Sequence, residues 1–69
     1  MSDHVYKKIE IAGTSSVGQD DAIRQAIKRA SETVKDMSWF EVVDSRGRIK
    51  DGKIEQFQVT LKIGFKLKD

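Results

Sequence analysis

From Phe57 to Leu67 the chain alternates almost without fault. Phe57, Val59, Leu61, Ile63, Phe65 and Leu67 are apolar, while Gln58, Thr60, Lys62, Gly64 and Lys66 between them are polar or small. Such a period of two fits only a strand with one face on a core and the other outside it. Just upstream, "KDGK" (Lys50 to Lys53) centres Asp-Gly in a predicted two-residue hairpin, because that turn needs positive φ at both central residues. Pairing Lys50 with Lys53 sets a register. Glu41 then lies opposite Lys62, Val42 opposite Leu61, Phe40 opposite Ile63, and Trp39 opposite Gly64. In this register Phe40 and Val42 join the core, and Trp39, the sole tryptophan, faces away from it beside Gly64. Glu41 and Lys62 form an expected cross-strand ion pair. A slip by one residue would bury Glu41 and expose Phe40 and Val42. Strict alternation would also set Arg46 inward opposite Phe57, and the neighbouring Gly47 suggests a bulge that turns it out.

The first half supplies the other two elements. Val5, Ile9 and Ile11, with Lys7 as the exception, alternate with Tyr6, Lys8 and Glu10, which predicts a strand over 5–12 ended by Gly13 and the Thr14, Ser15, Ser16 cluster. Ser16 and Gln19 have capping-box spacing, and Asp20 and Asp21 suit a first helical turn. Ala22, Ile23, Ala26, Ile27, Ala30 and Val34 then recur at helical spacing opposite Arg24, Gln25, Lys28, Arg29, Glu32 and Lys35. The expected fold class is α+β: one domain over 1–69, a β-α-β-β subunit whose three-stranded antiparallel sheet, last strand central, carries one amphipathic helix on one face. A right-handed crossover makes the outer strands parallel to each other.

A chain of 69 residues without cysteine buries only roughly 60% of its unfolded surface and has no disulfide or thiolate zinc site to reinforce it. Bare sheet edges and a second, uncovered sheet face make self-assembly the economical expectation. Apolar runs of two or three residues fall short of a membrane span or signal-peptide core, which predicts a cytoplasmic protein with no membrane partner. The net charge of +2 permits an anionic partner without requiring one. Arg46, Arg48, Lys50 and Lys53 form the one basic run, opposed within it only by Asp51. They serve either as a solvated hairpin tip or as a phosphate contact through a guanidinium fork.

Enzyme chemistry is not expected. His4 stands alone near the N-terminus, Ser15 and Ser16 have no activating base, and "GTSSVG" lacks the Lys and spacing of a phosphate-cradling loop. No metal site is indicated. Trp39 on the polar face is either a stacking platform, with Gln56 and Gln58 nearby on the central strand to read a heteroaromatic edge, or an interface residue. Both hold if a ligand sits between subunits. The rival classes are a nucleic-acid-binding module and a purely structural oligomer. Few exposed aromatics and a balanced charge weigh against the first, so no nucleic-acid partner is expected.

The segments "VYKKIEIAGTS", "AIRQAIKRAS", "WFEVVDSRGRI" and "FQVTLKIGFKL", in this order and spacing, resemble the dodecins, small flavin-binding proteins. The resemblance covers essentially the whole chain. It implies a homododecamer of twelve β-α-β-β subunits around a hollow interior, with flavin rings held between Trp residues of two subunits at two-fold axes. It further implies that Trp39 stacks on the flavin, that Gln58 hydrogen-bonds the ring edge, and that Arg46 helps hold phosphate-bearing ligands. Those ligands are flavin mononucleotide (FMN), with riboflavin or FAD as related flavins, and in some cases coenzyme A. Lys66 falls where some relatives have Arg, so it keeps the charge without the fork. The implied role is flavin storage and buffering, with the photochemistry of the bound flavin quenched.

Overall fold

The computed structural model describes residues 3–67 and contains β1 (Tyr6–Ser15), α1 (Gln19–Ala30), β2 (Met37–Lys50) and β3 (Lys53–Lys66). The expectation of one domain over 1–69 includes Met1, Ser2, Lys68 and Asp69, which lie outside the described residues. The strand order is β1-β3-β2 with both pairings antiparallel. The fold class expected from the alternation is the one observed, with the most regular strand in the middle.

The hairpin turn carries positive φ at both Asp51 (52°) and Gly52 (76°), as Asp-Gly requires. The register matches at both ends: Lys50 pairs with Lys53, and Trp39, Phe40, Glu41 and Val42 pair with Gly64, Ile63, Lys62 and Leu61. Between those ends it does not. The pairing shifts between Val42 and Asp44 and again between Arg48 and Ile49, leaving Val43 on β2 and Glu55 on β3 without direct partners. Two extra residues, one on each strand, cancel, which is why a single offset predicts both ends and misses the middle. The bulge is at Val43 and not at Gly47. Its effect is the expected one: Arg46 lies opposite Gln58, and Gly47 takes the place opposite Phe57.

β1 does not end at Gly13. It continues through Thr14 to Ser15, paired with β3 throughout. Gly13 instead admits the helix: a Cβ there would sit 2.3 Å from the Ala22 carbonyl oxygen and 2.8 Å from the Ala26 Cβ. Ser16 does not cap α1, which begins at Gln19 with Gly18 before it and no side-chain cap bond. The buried Ser15 takes over: its Oγ accepts from the N–H groups of Val17 (2.9 Å) and Gly18 (3.4 Å) and donates to Asp21 Oδ2 (2.6 Å). Those bonds hold the Asp21 carboxyl below its ordinary value, Ser15 first, then Gln25. At its other end α1 stops at Ala30, and Val34 falls just past the turn that follows, where its N–H still reaches the Ala30 carbonyl at 2.8 Å.

Val59, Leu61 and Ile63 of β3 are fully buried with Ala22 and Ala26 of α1, bordered by Ile9, Ile11, Ile23, Ile27, Ala30 and Met37. Because the Ala stripe settles onto Gly13, α1 packs over β1 and β3, and β2 lies at its margin. Phe40 and Val42 therefore share the sheet's helix face without being covered by the helix; they remain 47% and 49% exposed. The expectation that both join the core is corrected accordingly. Exposed Ile49 and Ile54, paired across the hairpin end, extend the same apolar band past the helix. The radius of gyration is 14.5 Å, against about 11 Å for a compact domain of this length. The subunit is long because its hairpin outruns both β1 and the helix.

Candidate functional site

The sheet face away from α1 carries Trp39, Glu41, Asp44 and Arg46 from β2. It carries Gln56, Gln58, Thr60, Lys62, Gly64 and Lys66 from β3, and Tyr6, Lys8, Glu10, Ala12 and Thr14 from β1. Side chains of β2 and β1 meet over β3 wherever β3 contributes nothing bulky, and Gly64 is that place. Trp39 lies on it: a Cβ on Gly64 would fall 2.2 Å from two atoms of the indole ring. Tyr6 meets the ring edge-on, with centroids 5.7 Å apart and planes at 70°. The Lys8 ammonium is 5.6 Å from the indole centroid, within cation–π range. Trp39 is thus half-buried and held from below and from the side.

Glu41 forms its salt bridge with Lys8 of β1, reaching across the central strand, and not with Lys62 directly opposite. Lys8 pairs with Gly64, beside the indole that covers it, and its ammonium meets both the indole and the carboxylate. The hydrogen bond and charge of Lys8, with a smaller contribution from Lys62, hold the Glu41 carboxyl below its ordinary value.

Arg46 lies at the other end of this face beside Gln58, and its Nε donates to Asp44 Oδ2 at 2.9 Å. That side-on bond leaves the terminal guanidinium nitrogens free to grip an anion. The basic run is less bare than its sequence suggests. Asp44 meets Arg46, and the bulged Glu55 lies 3.7 Å from Arg48 and 3.8 Å from Lys50. These contacts are exposed and individually weak.

The four predicted site residues therefore share one face but form two groups. Trp39 and Lys66 flank Gly64 and Tyr6, whereas Gln58 and Arg46 pair with each other. Gln58 is six residues along β3 from Gly64, about 20 Å at roughly 3.3 Å per residue. The expectation that Gln58 lies near Trp39 is corrected within one chain: a single flavin ring does not span that distance. Tyr6, Lys8 and Asp44 were missed as neighbours of the site. The parity of β1 puts Tyr6 and Lys8 on the outer face, but only the two-sided pairing of β3 shows which β2 residue they meet.

The fold and this face define a class: a small strand-helix-strand-strand domain whose sheet gives one side to its own helix and leaves the other, with an indole over Gly64, uncovered. The chain belongs to the dodecin family, whose model, described as Dodecin, matches residues 5–68. It is 43% identical over 65 residues to the dodecin of Thermus thermophilus, covering 94% of each chain. It superimposes on the structure of dodecin from Streptomyces coelicolor with a TM-score of 0.88 at 48% identity, covering 100% of this chain and 99% of that one. A more distant relative, the calcium dodecin of Mycobacterium tuberculosis, is 28% identical over 64 residues, 93% of this chain and 90% of that protein.

Proposed function

We propose that this protein is a non-enzymatic flavin-binding subunit that acts as a homo-oligomer, twelve copies in the arrangement the dodecin resemblance implies, and stores or buffers FMN. The observation that carries the proposal is the position of Trp39: on the uncovered sheet face, in the space over Gly64, buttressed by Tyr6 and Lys8. An apolar plane that is fixed before binding loses little entropy on stacking a ligand. When bound, a flavin on this indole has its excited state quenched by electron transfer from the ring.

In this reading Trp39 stacks on the flavin, and Gln58 supplies an amide donor and acceptor to the ring edge. Arg46 meets a phosphate of FMN or coenzyme A through its free terminal nitrogens, and Lys66 adds charge without a fork. In this reading Trp39 and Gln58, too far apart in one chain to meet the same ring, belong to opposite halves of a site completed by a second copy. The apolar band of Phe40, Val42, Ile49 and Ile54 on the helix face supports assembly, since a soluble subunit gains by burying it.

Titrating FMN while following flavin fluorescence tests the proposal. Saturable quenching is expected, with Trp39→Ala abolishing most of it while the oligomer survives. Loss of the oligomer in that variant would make Trp39 an interface residue. Absence of quenching together with salt-dependent binding of single-stranded nucleic acid would replace the reading.

A further inference from the structure

Trp39 does not meet its surroundings only through packing. Lys8 stands 5.6 Å from the indole centroid, and its charge is opposed by Glu41, the residue two along β2 from Trp39 on the same face. A cation near an aromatic ring favours the neutral, electron-rich ring over its oxidised form, and an anion does the reverse. The two charges are joined, so their effects on the ring largely cancel.

We propose that Lys8 and Glu41 are positioning residues that set the electron-donating strength of Trp39, Lys8 restraining it and Glu41 offsetting Lys8. This inference rests on the flavin reading for its use but not for its physics. In the quenching step the indole gives one electron to the excited flavin and takes one back, so nothing is consumed and the forward step depends on how readily the indole is oxidised. A charge pair built from β1 and β2 across the central strand adjusts that property without touching the ligand's stacking surface. The remaining charges of this face do not occupy the same place. Lys66 stands opposite Tyr6 on the ladder and Glu10 opposite Lys62, and Asp44 accepts the Arg46 Nε–H bond. Lys62 stands opposite Glu41 and contributes to it only through its charge, after Lys8.

The test is a sign pattern. Lys8→Met leaves Glu41 alone beside the indole, and Glu41→Gln leaves Lys8 alone. In the flavin-free protein, where Trp39 is the only tryptophan, voltammetry is expected to show a lower indole oxidation potential in Lys8→Met and a higher one in Glu41→Gln. The double variant should fall back toward the parent. With FMN bound, the excited-state lifetime of the flavin should shorten in the first variant and lengthen in the second. A purely structural pair would move both single variants in the same direction, which overturns the proposal, as would an unchanged potential in both. If FMN does not bind at all, the flavin reading fails while the potentials still decide this one. Near-ultraviolet circular dichroism of the indole in each variant checks that the ring has stayed on Gly64; a variant that loses this signal is replaced by Lys8→Gln or Glu41→Leu.

Discussion

At Gly64 a missing Cβ decides where the tryptophan lies. The ring occupies the space that any side chain would fill, 2.2 Å from the ideal Cβ position, and gains Tyr6 and Lys8 as neighbours by doing so. Gly64→Ala is therefore expected to lift the indole, red-shift the Trp39 emission of the flavin-free protein and weaken FMN binding, with the hairpin register kept. Fluorescence of the single tryptophan and an FMN titration check both parts. Ser15 is the other residue with more than one role. Ser15→Ala removes a buried hydroxyl whose hydrogen bonds are worth about 1 kcal/mol each and also the largest cause of the lowered Asp21 carboxyl. A lowered carboxyl stabilises the fold above its unfolded value and loses that contribution as pH falls through its folded value. The gap in denaturation midpoint between parent and Ser15→Ala should accordingly be full near neutrality and narrow below the ordinary Asp value of 3.8, as a urea series across pH would show.

Among the elements, the contact of α1 with β1 governs how much sheet the helix can cover. Gly13 allows the backbone of Ala22 and the Cβ of Ala26 to approach within distances that leave no room for a methyl group. Gly13→Ala is expected to force the helix off the strand and destabilise the protein by about 1–3 kcal/mol, the usual cost of overpacking, read as a lower denaturation midpoint with the helical signal retained. The bulges at Val43 and Glu55 belong to the same scale. Val43 and Glu55 each add one residue to the ladder, and their cancellation lets the turn and the Trp39 end keep one register while the Arg46 stretch takes another. A bulge carries no strong sequence mark here. Gly47, the visible candidate, serves a close backbone contact instead: a Cβ on it would lie 2.6 Å from the Gln56 carbonyl oxygen.

For the whole molecule, the shape carries the argument. A chain of this size with a radius of gyration of 14.5 Å and a longest extent of 55 Å leaves much of its hairpin without internal cover, and Phe40, Val42, Ile49 and Ile54 stay exposed on one face. Placing a charge in that band, Val42→Glu, is expected to break the assembly into smaller species and to remove FMN binding with it, because in the proposed site a second copy brings Gln58 to Trp39. Sedimentation velocity, run alongside a flavin titration, measures both. An intact oligomer in this variant would assign the band to another purpose.

The sequence by itself determined the class of fold, the turn, the central strand and the face on which Trp39 sits, because a period of two ending in Asp-Gly leaves few ways to pair. It also put Trp39, Gln58, Arg46 and Lys66 on one surface, through parity and family resemblance together. Only the tertiary structure decided how that surface is laid out. Distance along a strand does not show in parity, so Gln58 and Trp39 read as neighbours when about 20 Å separates them. Partners two strands apart are equally hidden: Glu41 meets Lys8 and not the directly opposite Lys62, a contact across the middle strand that arises only when three strands lie side by side.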